Sequence, residues 1–355
     1  YIFLTSSRRT SNATMLFTAI LLLSVCALCP GLLLELQSRA LYVVDPESPL
    51  TSRQQKRPIA GSRNVEDCIH SGRCDRFNIS TEDGLTLDNY LCIPPQPRAI
   101  IIFFHGNAGS IYDRFPFASQ LSRKTNSIVV MADYRGYGLN EGSPSEAGLR
   151  LDALGIIKKT TEYALQVSAH DDLYEVYEDT YEHTNNRLPI LLHGHSLGAA
   201  VAIDIASCST EDCGEVEIDA IVLSNPFTNI RDMILHLARR NWPNLFNPGG
   251  NAIQRLPYYV LERVILPLFQ RIHWDNTAKI HNVKCTTWFI GAHNDDFVPI
   301  NHTIELYNRT RSRKHKTIYF DVKHNNVHDS AGYYWDYNAF IDSVVREQDV
   351  RVHVD

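Results

Sequence analysis

The chain lacks the features of a nucleic-acid-binding or metal-binding protein. Its 355 residues hold 34 Lys and Arg against 40 Asp and Glu, a net charge of −6, so a general basic surface is excluded. No CxxC pair has a partner at zinc-site spacing. The glycine-containing loop at residues 105–109 has neither a P-loop lysine nor GxGxxG spacing. We therefore expect no metal, no cofactor and no nucleic-acid partner; the oligomeric state stays open.

Charge is also absent from one long stretch. No charged residue lies between Arg9 and Glu35, and residues 15–34 are almost wholly apolar. A 20-residue helix rises about 30 Å, enough to cross a bilayer, which predicts a single transmembrane helix at 15–34. A cleaved signal peptide, giving a secreted protein, is the alternative. Arginines precede the span and acids follow it, so the positive-inside rule predicts a cytosolic tail at 1–14.

Two further features are typical of a chain that enters an oxidising, glycosylating compartment. Three glycosylation sequons follow the span, at Asn78, Asn301 and Asn308. Two pairs of cysteines are close in sequence, Cys68 with Cys74 and Cys208 with Cys213. Each pair is either a disulfide or two free thiols, and the spacing alone leaves both open.

Apolar strands alternate with helices through most of the chain. Residues 35–75 are mixed in composition and predict a linker, and the pattern begins after them. Unbroken apolar runs, typical of strands buried on both faces, start near Ala99, Ser127, Ile190, Ala220 and Thr286. This alternation predicts an α/β domain over residues 76–350 with a doubly wound, mostly parallel sheet. Loops after the strands then meet at one edge of the sheet.

One serine lies at the apex of a strand–turn–helix pattern. An apolar run at 190–192 leads into residues 194–198 (GHSLG), and small helix-forming residues follow. Gly194 and Gly198 permit a tight turn and close helix packing. The pattern predicts a nucleophile elbow with Ser196 as the nucleophile; the alternative is a glycine-bounded turn with a polar tip.

A serine nucleophile requires a base, and the base requires an orienting acid. Loops after two later strands supply both in the order that the elbow predicts. We predict that Asp295 is the acid and His324 the base, since each lies close to a strand end. The alternatives are Asp296 for the acid and His328, His293 and His195 for the base.

The tetrahedral intermediate of such a reaction needs backbone donors for its oxyanion. The N–H of Leu197, directly after the serine, is one predicted donor. The loop after the strand at 99–104 supplies the other, and we assign it to Asn107.

Residues 229–280 depart from the strand–helix rhythm and predict a helical lid. The segment combines apolar runs with seven basic and three acidic residues. The apolar runs either line an acyl-chain pocket, contact a membrane interface, or pack within the lid. The basic excess predicts contacts between Arg239 and Arg240 and anionic lipid head groups.

Four motifs together resemble those of a known family. Residues 105–109 (HGNAG), 133–138 (DYRGYG), 194–198 (GHSLG) and 225–230 (NPFTNI) are similar to those of the membrane-anchored α/β-hydrolase lipases that cleave lysophosphatidylserine and monoacylglycerol. The resemblance implies an α/β-hydrolase fold, an endoplasmic reticulum membrane protein and a lumenal, glycosylated catalytic domain. It also implies a triad of Ser196, Asp295 and His324. Three departures bear on the substrate: Asn225 in place of serine, a long insertion at 170–186 that is acidic over 171–182, and a Lys-His-Asn-Asn sequence in the His324 loop.

The sequence therefore predicts a membrane-anchored serine hydrolase that cleaves the acyl ester of a lysophospholipid or monoacylglycerol. A thioesterase or protein depalmitoylase of the same fold is one alternative. A non-catalytic lumenal binding protein is the other, and the ordered Ser, Asp and His argue against it.

Overall fold

The fold is organised around the strands that the apolar runs predict. The computed structural model describes residues 37–38, 41–42, 62–168, 187–241, 243 and 248–352. The chain divides into two units, one of residues 42–233 and 274–355 and the other of residues 1–41 and 234–273. The first unit contains the sheet.

The strands are β1 Cys74–Arg76, β2 Ile79–Ser80, β3 Thr86–Leu87, β4 Tyr90–Cys92, β5 Ile100–Phe104, β6 Ile128–Ala132, β7 Ile190–His195, β8 Ala220–Ser224, β9 Thr286–Ala292 and β10 Lys314–Tyr319. The helices are α1 Ser62–His70, α2 Ile111–Thr125, α3 Glu146–Ser168, α4 Leu197–Ala206, α5 Thr210–Cys213, α6 Ile230–Asn241, α7 Ala252–Val260, α8 Leu266–Phe269, α9 Asn276–Lys279, α10 Ile300–Arg309 and α11 Tyr333–Val352.

Eight strands form one sheet in the order β1-β4-β6-β5-β7-β8-β9-β10, and β2 pairs with β3 separately. The strands from β6 to β10 run parallel, whereas β1 and β4 are antiparallel to their neighbours. Every residue of β5, β6 and β8 is buried, as expected for strands covered on both faces. The predicted mostly parallel sheet is therefore confirmed.

Helices cover both faces of this sheet. Alternate residues of β5, Ile101 and Phe103, join one core with Tyr337 and Phe340 of α11, and α2 packs on the same side. Helix α4 packs against β5, β7 and β8, and α3 contacts α4. Because successive side chains of a strand point to opposite faces, β5 contributes to both layers. The loops at the carboxyl ends of the parallel strands are left to form a site.

The predicted linker at 35–75 is wrong for its last part, since α1 and β1 lie within it. A disulfide joins Cys68 of α1 to Cys74 of β1, and Cys74 pairs in register with Cys92 of β4. Composition gave no signal for a nine-residue helix and a three-residue strand, because their stability comes from packing and the disulfide. A second disulfide joins Cys208 and Cys213.

Between residues 234 and 273 the second unit contains most of α6, then α7, a π-helical turn at Leu261–Ile265 and α8. Leu235, Tyr258 and Leu266 form a small core. The guanidinium of Arg239 lies 4.5 Å from the centre of the Tyr258 ring. Several large apolar side chains are exposed along α7, α8 and the π-helical turn between them: Leu256, Tyr259, Val260, Val264 and Leu268.

Two predicted segments lie outside the described residues, the transmembrane helix at 15–34 and the acidic insertion at 170–186. Of the helices that the structure does describe, none combines the length and the apolar character needed to cross a bilayer.

Candidate active site

Ser196 lies in a strained turn between β7 and α4. Its backbone has φ 53° and ψ −110°, a conformation that a non-glycine residue holds only at a cost of about 1–3 kcal/mol. A Cβ at Gly194 would lie 2.3 Å from the carbonyl oxygen of Gly198. A Cβ at Gly198 would lie 2.0 Å from the oxygen of Phe104. Both glycines are therefore required for the close packing of α4, which sets the serine at the end of β7.

An acid and a histidine meet in the loops after β9 and β10. The Nδ1 atom of His324 lies 2.7 Å from Oδ2 of Asp295, and their side chains are 7% and 1% exposed. The other carboxylate oxygen of Asp295 accepts hydrogen bonds from the backbone N–H groups of Phe297 and Val298, at 2.7 and 2.8 Å. These bonds fix the carboxylate, which in turn can hold the imidazole with Nε2 available for proton transfer.

The alternative residues have other surroundings. The side chain of Asp296 is exposed, 4.0 Å from Lys323. His293 is exposed and its ring packs on Phe320. His328 contacts Asp329 at 3.7 Å. The pairing that the structure brings together is that of Asp295 and His324.

His195, the fourth alternative base, lies inside the elbow. Its Nε2 atom is 3.3 Å from the side-chain oxygen of Asn325, and its ring centre is 4.9 Å from that of His324. Burial, reinforced by the charges of His324 and Arg114, lowers its pKa well below the usual value. His195 is therefore a neutral neighbour of the pair.

The loop after β5 lies directly against the elbow. A Cβ at Gly106 would lie 2.9 Å from the His195 ring and 3.4 Å from Cβ of Ser196. The next residue is Asn107, whose side-chain oxygen accepts hydrogen bonds from the Ala108 N–H and the Tyr137 hydroxyl. Leu197 opens α4, where backbone N–H groups have no partner within the helix. Both predicted oxyanion donors thus belong to segments that border the serine.

The loop after β6 holds the Asn107 loop in place, a role that the sequence analysis did not identify. Nε2 of His105 and Oδ1 of Asp133 are 2.7 Å apart, and both side chains are buried. The Tyr134 hydroxyl donates to the backbone oxygen of His105 at 3.0 Å. Burial raises the pKa of Asp133, and the His105 hydrogen bond opposes that shift. A histidine and an aspartate after adjacent strands were the available signal for this pair.

Asn225 is a second residue that the sequence analysis did not assign to the site. It follows β8 with φ 47°, and its side-chain Nδ2 donates to the backbone oxygen of His324 at 2.8 Å. Its Oδ1 accepts from the N–H of Ala292 at 2.8 Å, and its backbone N–H donates to Ile290. One side chain therefore ties the His324 loop to the strand that leads to Asp295. Asparagine tolerates positive φ, which was the only local signal.

A cavity of about 210 Å³ lies beside His324. Its walls include Phe103, Arg114, Phe117, His193, His195, His328 and Val327. Burial lowers the pKa of His193 to about 3 and also lowers that of His328. The structure thus provides a partly apolar cavity, and the candidate base forms part of its wall. Within the described residues, no group of three or more His, Cys, Asp or Glu side chains is arranged to hold a metal ion.

Comparisons with known proteins bear on the fold and on the class of enzyme. The family model of serine aminopeptidases, S33 (Hydrolase_4), matches residues 95–255. Protein bem46 of Schizosaccharomyces pombe is 27% identical over 317 residues, covering 88% of each chain. Lysophosphatidylserine lipase ABHD12 of Bos taurus is 27% identical over 238 residues, 66% of this chain and 50% of the lipase. The chain is a serine hydrolase of the α/β-hydrolase fold.

This hydrolase is similar to ABHD12, and it aligns with about half the length of that lipase. It is also similar to a Saccharomyces cerevisiae protein described as an uncharacterized membrane protein, at 27% identity over 67% of the chain and 80% of that protein. An esterase of Pyrococcus furiosus shares the fold, with a TM-score of 0.52, 17% identity and coverage of 83% of this chain and 98% of the esterase.

Proposed function

We propose that this serine hydrolase cleaves the acyl ester of lysophospholipids or monoacylglycerols, with Ser196, His324 and Asp295 as its triad. The observation that carries the proposal is the buried 2.7 Å contact between His324 and Asp295, on loops at the same sheet edge as the Ser196 elbow. A buried acid that orients a histidine is what a serine nucleophile requires.

The reaction follows from these positions. His324 Nε2 takes the proton of the Ser196 hydroxyl as its oxygen attacks the ester carbonyl. The N–H groups of Asn107 and Leu197 stabilise the oxyanion of the tetrahedral intermediate. The intermediate expels the alcohol, which leaves with the proton from His324. Water, activated by the same histidine, then releases the fatty acid and restores the serine. Asp295 stabilises the imidazolium that forms in each step.

Two observations support a lipid as substrate. Relatives that are 27% identical to this chain are named lysophosphatidylserine lipases. The second unit exposes large apolar side chains on α7 and α8 next to basic residues, including the exposed Arg255 and Arg263. Such a surface is suited to the interface of an anionic membrane. We extend the proposal to Arg239 and Arg240 as head-group contacts, and to anchoring of the chain in the endoplasmic reticulum membrane through residues 15–34 with its catalytic domain in the lumen.

Covalent labelling tests the nucleophile. A fluorophosphonate probe is expected to label the wild-type full-length chain and to leave Ser196→Ala unlabelled. Ser207→Ala, at the end of α4, is the matched control and should label as the wild type does. Equal labelling of Ser196→Ala and the wild type would exclude Ser196 as the nucleophile.

Lipid profiling tests the substrate class. Cells in which the chain is replaced by Ser196→Ala are expected to accumulate lysophospholipids or monoacylglycerols relative to wild type. Accumulation of acylated proteins with unchanged lysolipids would instead identify a thioesterase. Unchanged levels of both classes, where the wild-type chain is labelled at Ser196, would contradict the lipid proposal.

A further inference from the structure

One arginine in the wall of the cavity beside His324 has a guanidinium nitrogen without a partner among the residues that the structure describes. Arg114 lies in the first turns of α2, and its Nε atom is buried without a hydrogen bond to any described residue. Burial lowers its pKa, and the charge of Asp113 opposes that shift. Buried polar groups in folded proteins are nearly always hydrogen-bonded, so an unsatisfied guanidinium nitrogen on a side chain that lines a cavity points to a ligand.

The neighbouring carboxylate is engaged elsewhere. Asp113 also borders the cavity, but its Oδ2 accepts from the backbone N–H of Ser110 at 2.8 Å and from the Ser110 hydroxyl at 3.3 Å. This capping box stabilises the start of α2. Asp113 therefore partly offsets the charge of Arg114 without forming an ion pair with it.

The remaining walls favour an anion over a cation. Burial keeps His193, His195 and His328 neutral by lowering their pKa values. Phe103, Phe117 and Val327 add apolar surface. Attraction between opposite charges is stronger in such surroundings than in water. A guanidinium presents a planar set of donors that matches the two oxygens of a phosphate or carboxylate.

The position of the cavity relates it to the leaving group. In the proposed reaction His324 protonates the departing alcohol, so that alcohol must lie beside His324. His324 forms part of the wall of the cavity. A single ordered water needs only about 10–15 Å³, so a space of 210 Å³ accommodates a polar group of several atoms.

We propose that Arg114 is the specificity residue of an anion subsite that binds the phosphate or carboxylate of the leaving group while Ser196 attacks the acyl carbonyl. This inference rests on the proposed function and adds to it a preference for anionic lysophospholipids over neutral glycerides. It assigns recognition of the leaving group to the cavity, whereas the proposed role of Arg239 and Arg240, in the second unit, is contact with anionic lipid head groups of the membrane.

Turnover of matched substrates tests this assignment. Lysophosphatidylserine and a monoacylglycerol with the same acyl chain are compared in full-length wild type and Arg114→Gln. We expect the ratio of their kcat/KM values to fall about 10- to 100-fold in the variant, since hydrogen bonds to charged groups contribute about 1.5–3 kcal/mol. Arg114→Lys keeps the positive charge but loses the planar set of guanidinium donors, so it should give an intermediate ratio of the kcat/KM values. Arg123→Gln, exposed on the same helix, should keep the wild-type ratio.

A binding measurement covers the case in which turnover is too slow to compare. Glycerophosphoserine, the deacylated head group, is expected to slow fluorophosphonate labelling of Ser196 in the wild type and not in Arg114→Gln. Equal protection of both chains would overturn the inference. Protection by inorganic phosphate as strong as that by glycerophosphoserine would overturn the assignment to a substrate head group.

Three outcomes separate this inference from the proposed function. A wild type that labels at Ser196 but hydrolyses neither lipid contradicts the function, and the protection experiment still decides the role of Arg114. Hydrolysis of both lipids with an unchanged ratio in Arg114→Gln contradicts the inference alone. A ratio that falls only when Arg239 and Arg240 are reversed in charge also contradicts it.

Discussion

At the residue scale, Asn225 has a structural role that neither the candidate nucleophile nor the candidate base has. The His324 loop and the end of β9 come from separate strand–loop segments, and Asn225 hydrogen-bonds to both. Its positive φ directs the side chain between them while its own N–H continues the ladder to Ile290. Asn225 is therefore a positioning residue, since it reaches His324 through the backbone and does not contact substrate in the proposed reaction.

Asn225→Ala should separate positioning from binding. It removes two hydrogen bonds to buried backbone groups, which we expect to lower the free energy of unfolding by about 1–3 kcal/mol. A small displacement of His324 should lower kcat about 10- to 100-fold with a smaller change in KM. Asn225→Asp keeps a side-chain oxygen that can accept the Ala292 N–H, so its kcat should lie between those of the wild type and Asn225→Ala.

The matched control is Asn126→Ala, at the other end of the sheet unit. Asn126 also has positive φ, 51°, where it ends α2. This variant should lose stability by a similar amount and keep the wild-type kcat. A kcat for Asn225→Ala equal to that of Asn126→Ala would refute the positioning role.

The buried histidines give the hydrolase a dependence on pH. The pKa of His193 is lowered to about 3 by burial and by the neighbouring His328. Between about pH 3 and pH 6.5 the imidazole of His193 is neutral in the folded chain, but it is protonated in the unfolded chain, where the pKa of histidine is about 6.5. Stability is therefore present above pH 6.5 and is lost as the pH falls below it.

His193→Gln should flatten this dependence. Urea unfolding of the wild type between pH 7.5 and 5 should show a stability that falls with pH, and removal of His193 should reduce the slope below pH 6 by about 1.4 kcal/mol per pH unit. Tyr337→Phe removes the 3.3 Å contact of the Tyr337 hydroxyl with Nδ1 of His193 and leaves the ring to titrate, so its slope should match the wild type. A slope unchanged in His193→Gln would show that other groups set the acid sensitivity.

At the scale of elements, the segment from α6 to α8 combines two surfaces of different character. Arg239 stacks on Tyr258, while Arg240 is exposed. Exposed apolar side chains occur on α7 and α8, Leu256 and Leu268 among them. A surface with both features binds anionic membranes through charge and through apolar insertion, and only the first contribution is screened by salt.

Reversing the charges of Arg239 and Arg240 tests the electrostatic contribution. Arg239→Glu/Arg240→Glu should weaken turnover of anionic lysolipids more than that of neutral glycerides, measured on vesicles that contain phosphatidylserine. The difference should shrink as salt is raised to 0.5 M. Arg123→Glu is the control, since it reverses the charge of one exposed arginine on α2. Equal losses on anionic and neutral substrates would refute a head-group role.

At the scale of the whole molecule, the sequence predicted what depends on local pattern. The buried strands β5 to β9 begin within one residue of the predicted starts of the apolar runs, because an unbroken apolar run is a strong local signal. Helix α1 and strand β1 were missed, since a disulfide and packing against α2 stabilise them. The partners of Asn225 and the cavity beside Arg114 depend on contacts between residues far apart in sequence. No local pattern predicts such contacts.

The topology of the chain has a direct test in glycosylation. Asn78, Asn301 and Asn308 are all exposed, and the last two are seven residues apart on one side of α10. If the catalytic domain enters the lumen, endoglycosidase should reduce the mass of the full-length chain from eukaryotic cells. The chain should also resist extraction from membranes by alkaline carbonate.

Asn78→Gln/Asn301→Gln/Asn308→Gln is expected to abolish the mass shift and to leave membrane extraction unchanged. Absence of any shift in the wild type would contradict the lumenal orientation. Release of the wild type by carbonate would contradict the anchor.

The division of the chain has a consequence for its biosynthesis. Ser196 and the Asn107 loop are translated before residues 234–273, which belong to the second unit, whereas Asp295 and His324 are translated after them. In the proposed triad, the nucleophile is therefore translated well before the residues that activate it. In the proposed mechanism, a nascent chain lacks its base and its acid until the loops after β9 and β10 have been translated. For the proposed membrane-anchored lipid hydrolase, such a delay would separate synthesis beside a membrane from activity on its lipids.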